Sequence, residues 1–173
     1  KEKIGGNKMT NKQICGMVEM VGEFYREMGD GEYLCTGKYK SIERKTLREN
    51  IFYEELKEFV EASEFKREKL RRKEQLDAIC DMFYVAAGNL LENSKSIEQA
   101  KQKWAKGGIW ETDTAEKMRK RTDFDIHTVY EAFKEVHRSN MTKVCKDGTV
   151  LRRADGKIIK PDTFEEPNLE KFL

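Results

Sequence analysis

Two short acidic motifs are the parts of this 173-residue sequence whose residue types and spacing could do chemistry. The first is Glu54-Glu55 followed by Glu58, and the second is Glu74 followed by Asp77. Because residues three or four apart lie on one face of a helix, each motif forms an acidic stripe. On helical wheels both stripes fall among or beside apolar side chains, where water is scarce. Unpaired carboxylates are costly to bury and repel one another, so something must neutralise them.

Lysine and arginine side chains or divalent cations could neutralise these carboxylates. The nearby basic residues lie mainly in the connection over 66–73, away from the acidic stripes. Carboxylates without histidine or cysteine suit hard cations such as Mg²⁺, for which Mn²⁺ can substitute. A di-iron site is disfavoured because neither His127 nor His137 follows a glutamate by three residues. We therefore predict a magnesium site, with ion pairing and a solvated acidic face as the alternatives.

Helices must position these motifs. The fold expected is all-α, an antiparallel helical bundle, because the connection between the two motifs is short enough to bring their helices side by side. From 76 to 91 the only charged residues are Asp77 and Asp81, so this helix is almost entirely buried. Apolar repeats of three and four residues predict helices over 11–28, about 42–65, about 73–91 and 124–136.

Composition favours one soluble domain. Charged residues form 38% of the chain, and 34 Lys and Arg against 32 Asp and Glu argue against dedicated nucleic-acid binding. No apolar run is long enough to cross a membrane and no signal peptide is seen, so a cytoplasmic protein is expected. We expect a flexible leader over 1–10 and a single domain over 11–173. That domain has an insertion at about 93–125, a lid or a helical pair, and ends in a short hairpin or an extended tail.

The motifs in this order resemble the all-α nucleoside triphosphate pyrophosphohydrolases, which include MazG-like proteins, dimeric dUTPases and phosphoribosyl-ATP pyrophosphohydrolase. The superfamily pattern of Glu-x-x-Glu on one helix and Glu-x-x-Asp on the next is similar to Glu55–Glu58 and Glu74–Asp77. The insertion departs from compact relatives. Two further stretches look like those of MazG-like members. The first is 77–88, and the second is 136–143, which is followed by the turn Asp147-Gly148 and by 153–161.

The resemblance implies Mg²⁺-dependent hydrolysis between the α and β phosphates of a nucleoside triphosphate. The products would be a nucleoside monophosphate and pyrophosphate, in control of nucleotide pools. Glu54 or Glu55 would take the proton of the attacking water. The metal ligands that the resemblance implies are Glu55, Glu58, Glu74 and Asp77.

Substrate contacts are expected mainly around the end of the last helical pattern. Arg138 and Lys143 offer charge-assisted hydrogen bonds to phosphate, and Asn140 offers an amide to a base edge or sugar hydroxyl. Taken alone this run would be an ordinary basic helix end, and only the motif context favours substrate contact. For the tail residues Lys157 and Lys160, solvated turn positions are favoured over contact with phosphates. The predicted substrate-binding residues are Asp81, Tyr84, His137, Arg138, Asn140 and Lys143, although Tyr84 fits core packing equally well.

Two other functions stay open on the sequence alone. One is phosphoribosyl-ATP hydrolysis, which keeps the chemistry and changes the substrate. The other is a non-catalytic helical oligomerisation or interaction protein whose acids pair with Lys and Arg at a subunit seam. The acidic hairpin is expected to be too thin to bury its own apolar faces, so a homodimer or homotetramer is predicted.

Overall fold

Six α-helices form the fold of residues 8–173, which a computed structural model describes. The predicted all-α class is confirmed, since this part of the chain contains no strand. Polar side chains cap four of the helices at their N-termini: the side chain of Thr10 accepts a hydrogen bond from the backbone of Gln13, and Ser41, Ser96 and Asp125 accept similar bonds. The helices are α1 Asn11–Glu27, α2 Ile42–Ser63, α3 Glu68–Glu92, α4 Ile97–Lys106, α5 Trp110–Arg119 and α6 Ile126–Met141.

The central helix is α3, which contacts all five others. A short link over 64–67 turns the chain back, so α2 and α3 pack along each other as the hairpin that the sequence predicts. The second half of α3 is almost entirely buried, and Phe52, Phe59 and Phe133 fill the core around it. Helices α1, α5 and α6 pack against α3 within one chain, so this helix of the hairpin is buried without another subunit.

Three details of the helices differ from the expectations. Helix α3 begins at Glu68 rather than near 73, because the charged residues at its start form helix well but show no apolar pattern. Helix α6 runs on to Met141, so the predicted substrate contacts His137 to Asn140 lie on its last turn. Val60, placed by the helical wheel on the buried face of α2, has 53% of its surface exposed.

The segment from 93 to 125 is a pair of short helices, α4 and α5, and not an extended lid. Gly107 and Gly108 join them with φ values of +82° and +81°, a conformation that only glycine adopts easily. Trp104 is buried and stacks on Phe83 with 5.9 Å between ring centroids. The pair therefore packs on the bundle as part of the same core.

The chain after α6 runs as an extended tail with two isolated antiparallel bridges, Val144 with Val150 and Arg152 with Ile158. Side-chain contacts tie the tail to the helices. The hydroxyl of Ser139 donates to the carbonyl of Glu165 at 2.6 Å, and Leu169 is fully buried. The tail therefore forms one wall of the space beside α2, α3 and α6.

Two expectations concern targeting and terminal segments. Of the leader predicted over 1–10, residues 1–7 lie outside the described part of the chain, whereas Thr10 caps α1. None of the helices within 8–173 combines the length and the apolar character that crossing a bilayer requires.

Candidate active site

A cavity of about 480 Å³ lies between α1, α2, α3, α6 and the tail. Helices α2 and α3 direct carboxyl groups into one end of it, because both acidic stripes face the same seam between the helices. The acids of the hairpin that line the cavity are Glu55, Glu58, Asp77 and Asp81, of which the first three are predicted metal ligands, and Asp30 and Glu166 line it from other segments. The fourth predicted ligand, Glu74, does not line the cavity but lies close enough to Asp77 to repel its charge.

Burial and mutual repulsion disfavour the charged forms of these acids. The pKa of Glu55 is raised to about 8, first by burial and then by the negative charge of Glu58. The pKa of Asp77 is raised to about 6, first by burial and then by Glu74. Burial and Asp77 together raise the pKa of Asp81 well above its ordinary value. These groups thus form an acidic site that lacks sufficient positive charge.

The residues at this end fit a magnesium ion in their chemistry. Oxygen Oε2 of Glu55 is buried, and no hydrogen-bond partner reaches it within the described chain. A buried acceptor without a partner is costly, and a hard cation would satisfy it. Across residues 8–173, no three His, Cys, Asp or Glu side chains stand ready to hold an ion together. Magnesium commonly binds one or two carboxylates and takes its other oxygens from water and phosphates, which matches this arrangement.

Lysines from outside the acidic hairpin reach the same end of the cavity. Lys143, just after α6, lies close enough to Asp81 and Glu55 for their charges to interact with it. Burial lowers the pKa of Lys143, although those two carboxylates oppose the shift. Lys157 and Lys160 of the tail also line the cavity, whereas the sequence suggested solvated turn lysines. A phosphate group placed here would meet both carboxylates and ammonium groups.

Glu54, a predicted catalytic residue, faces the tail and does not line the cavity. Its carboxylate accepts hydrogen bonds from Lys157 at 2.7 Å and from Arg153 at 3.3 Å. Burial would raise its pKa, but these two ion pairs outweigh burial and lower it. In this arrangement Glu54 anchors the tail, and of the two candidate bases only Glu55 faces the cavity.

Of the six predicted substrate contacts, Asp81, Tyr84, Asn140 and Lys143 line the cavity. His137 lies behind Tyr84: its Nδ1 is 2.9 Å from the Tyr84 hydroxyl, and its Nε2 is 3.7 Å from Glu23. His137 therefore positions Tyr84 and is absent from the cavity wall.

Arg138 points elsewhere. Its guanidinium donates two hydrogen bonds to Glu135 on the surface of α6, at 3.0 Å and 2.8 Å. The side chain is also 46% exposed and does not line the cavity. In this arrangement Arg138 is a surface residue of the last helical turn.

The opposite end of the cavity carries a buried cluster that the sequence interpretation missed. Arg44 donates to both oxygens of Glu92, at 2.9 Å and 3.0 Å, and the hydroxyl of Tyr25 donates to Glu92 at 2.5 Å. Arg48 lies 3.4 Å from the same carboxylate and donates to Asn89 at 2.8 Å. The available signal was Arg44 and Arg48 four residues apart beside Leu47 and Ile51, on the apolar side of α2.

The helical fold and the paired acidic helices define a class, the all-α nucleoside triphosphate pyrophosphohydrolases. Residues 21–103, slightly under half of the chain, match the family model of phosphoribosyl-ATP pyrophosphohydrolase. The match confirms the resemblance to the all-α nucleoside triphosphate pyrophosphohydrolase superfamily, and with it the expected class of enzyme, a hydrolase acting on acid anhydrides. Searches of curated proteins and of solved structures find no significant match. The non-catalytic interpretation is therefore set aside.

Proposed function

We propose that the chain hydrolyses the bond between the α and β phosphates of a nucleotide that carries a 5′-triphosphate, with Mg²⁺ or Mn²⁺ as cofactor. The products would be pyrophosphate and a nucleoside monophosphate. The observation that carries the proposal is the acidic end of the cavity, where the unpartnered Oε2 of Glu55 lies near Asp77 and Lys143. The free state of the four cysteines supports placing the reaction in the cytoplasm.

Two substrate classes share this scissile bond. The family match favours phosphoribosyl-ATP, which is ATP carrying a ribose phosphate on its base, over a free nucleoside triphosphate. A free triphosphate would instead imply nucleotide-pool control. The matched segment ends at residue 103 and leaves out Asn140, Lys143 and the tail lysines, which line the same cavity. Direct comparison of both substrates is therefore part of the test.

The residues divide the chemical work. Glu55, Glu58 and Asp77 are the carboxylates from which the cation would take its one or two protein ligands, and the bound cation would offset charge on the phosphate oxygens and lower the pKa of a bound water. Lys143 would bind a phosphate oxygen through a charge-assisted hydrogen bond. Of the two candidate bases, Glu55 faces the cavity and would accept the proton of the attacking water. Tyr84, held by His137, would border the nucleoside.

Pyrophosphate release from nucleoside triphosphates and phosphoribosyl-ATP tests the proposal. Activity should require Mg²⁺ or Mn²⁺ and fall by about 100-fold or more in Glu58→Gln and Asp77→Asn, because each change removes a cation ligand. The matched control is Glu61→Gln, whose carboxylate is 60% exposed and pairs with Lys57 on the same helix. Helical circular dichroism should be unchanged in all variants. Full activity in both Glu58→Gln and Asp77→Asn contradicts the site assignment.

We also propose that the chain associates as a homodimer or homotetramer. The support is an apolar patch on the outer side of α2 and α5 formed by Tyr53, Val60 and Trp110, each more than half exposed. Tyr53 and Trp110 touch, with 5.6 Å between ring centroids, so the patch is continuous there. Light scattering at micromolar concentration should show a dimer or larger species that Val60→Glu converts to monomer. A monomeric wild-type protein contradicts this proposal.

A further inference from the structure

The cavity has two chemically different ends joined by apolar walls. Glu55 and Asp81 lie at the acidic end, and Arg44 and Arg48 lie at the other. Arg48 and Glu55 are seven residues apart on α2, which at 1.5 Å per residue separates the two ends by about 10 Å. The walls between them are mainly apolar, with Leu47, Ile51, Val85, Phe24 and Val136 among the lining residues.

The basic end carries an excess of positive charge. Two guanidinium groups share the single carboxylate of Glu92, and Tyr25 stays neutral because burial raises its pKa. The nearby carboxylate of Asp30 does not cancel the excess, because it pairs with Arg152 at 3.0 Å. Two guanidinium groups therefore face one carboxylate inside the cluster, and Glu111 approaches it only from the far side of Asn89, with 3.5 Å between its Oε1 and the Asn89 Nδ2.

Each arginine keeps hydrogen-bond donors for a ligand. The contacts to Glu92, Asn89 and the carbonyl of Val85 use only the Nε and Nη2 atoms of the two arginines. Within residues 8–173 no acceptor is found for either Nη1, and neither atom is among the fully buried groups that lack a partner. A guanidinium only donates hydrogen bonds. This end of the cavity can therefore bind a ligand oxygen, which accepts a hydrogen bond, but not an amino group, which donates one.

Space beyond the arginines extends the site. A second cavity of about 360 Å³ shares Asp30, Arg44, Leu47 and Gly156 with the first, so a group larger than a base edge has room there. Glu32, Glu43 and Asp155 also line this cavity, so an anionic group would have to stay close to Arg44 and Arg152. Gly88 keeps the approach open, because a Cβ at this position would lie 2.5 Å from Nη2 of Arg48 and 2.8 Å from the hydroxyl of Tyr25. Any larger residue would displace the guanidinium.

We infer that Arg48, supported by Arg44 and Glu92, is a specificity residue that binds an acceptor oxygen at the end of the nucleotide remote from its triphosphate. The inference rests on the proposed function, which places the triphosphate at the acidic end. The oxygen has two possible sources: the carbonyl of an oxo base, or the phosphate of a phosphoribosyl group. Unmodified ATP presents an amino group there and is the disfavoured substrate.

Pyrophosphate release from ITP, phosphoribosyl-ATP and ATP separates these sources. ITP and ATP differ in the oxygen or amino group at position 6 of the base, and phosphoribosyl-ATP adds the distal phosphate. We expect kcat/KM for ITP, for phosphoribosyl-ATP or for both to exceed that for ATP by about 10-fold or more. A preference for ITP alone assigns the oxygen to the base, and one for phosphoribosyl-ATP alone assigns it to the phosphate. Equal kcat/KM for all three overturns the inference.

Two variants test the role of Arg48. Arg48→Met removes the donors and should bring the substrates within about threefold of one another. Gly88→Ala keeps the charge, displaces the guanidinium and should have the same effect. Each readout is a ratio of kcat/KM values for two substrates of the same variant. A lower fraction of folded protein reduces both values equally and leaves the ratio unchanged. The control is Arg72→Met, whose arginine pairs with Asp123 away from the cavity and whose replacement should keep the wild-type ratio. An unchanged ratio in Arg48→Met overturns the inference.

A binding measurement separates this inference from the proposed function. If the oxygen belongs to the base, inosine monophosphate should bind more tightly than AMP in calorimetric titration without metal, and Arg48→Met should remove the difference. If no triphosphate releases pyrophosphate but inosine monophosphate is still preferred, the proposed function fails and the oxygen site stands. If activity is present and neither the kinetic nor the binding preference appears, only the oxygen site fails.

Discussion

The acidic hairpin of α2 and α3 and the C-terminal tail differ in how their charged side chains are paired. In the hairpin, Glu55 and Asp77 lie in the cavity with raised pKa values and insufficient positive charge nearby. In the tail, Arg153 and Lys157 form ion pairs with Glu54, whose pKa is lowered. Glu54 and Glu55 are neighbours on one helix, so a step of about 100° around its axis separates an anchor from a site residue.

This difference shows where each part of the proposed function is encoded. The family match covers the hairpin, which carries Glu55, Glu58, Asp77 and Asp81, and ends before α6 and the tail. Rigid helices hold the acids at fixed positions even though burial opposes their charge. Turns of the tail present lysines to the same cavity. We interpret the hairpin as the part that determines the reaction and the tail as the part that adapts the site to its substrate.

Replacing Glu55 should give the largest effect. Glu55→Gln should lower pyrophosphate release by about 100-fold or more, because it removes the free Oε2 as a ligand and proton acceptor. It should also stabilise the metal-free protein. The folded protein holds a proton on Glu55 up to about pH 8, whereas the unfolded chain releases it near its ordinary value of 4.5. Wild-type stability therefore falls as the pH rises through this window, and the variant lacks this loss.

Thermal unfolding of metal-free protein at pH 5 and pH 8 measures this effect. The melting temperature of Glu55→Gln should exceed that of the wild type by a few degrees at pH 8, and by less at pH 5. Glu49→Gln is the control, because Glu49 forms a surface ion pair with Lys45 on the same helix. If Glu55→Gln is less stable than the wild type at pH 8, positive groups in the folded protein already compensate the charge of Glu55. The hairpin and the tail would then no longer differ in how their carboxylates are neutralised.

Lys143 offers an intermediate test, since it brings positive charge to the acidic end. Lys143→Met should lower kcat/KM by about 10-fold, because the phosphates lose a charge-assisted hydrogen bond while the cation ligands remain. Steady-state kinetics with both substrate classes measures the loss. Lys146→Met, at an exposed position three residues further on, should leave kcat/KM unchanged. Equal effects of the two replacements would mean that Lys143 contributes only general charge.

The hairpin could be predicted because its signal is local. Two charged residues stand out in an apolar run, and Glu55, Glu58 and Asp77 do line one cavity. Contacts between distant segments left no such signal. Lys157 follows Glu54 by 103 residues and Arg44 precedes Glu92 by 48, so neither pair has a spacing that a helix or strand would reveal. For Arg138 the sequence motif suggested a phosphate contact that the structure does not show, because the side chain pairs with the nearby Glu135.

Glu54 should give the smallest effect, and it decides whether the contrast between the two regions is real. If Glu54 only anchors the tail, Glu54→Gln removes two partly exposed ion pairs, and ion pairs of this kind contribute little to stability. The expected result is a rise of KM by about two- to fivefold with kcat unchanged, because the tail lysines are then held less firmly. Glu61→Gln again serves as the control.

A fall of kcat by about 100-fold would instead make Glu54 the catalytic base, which requires the tail to release it when substrate binds. In that case the tail would regulate the acidic site, and the separation of reaction from substrate recognition would be lost.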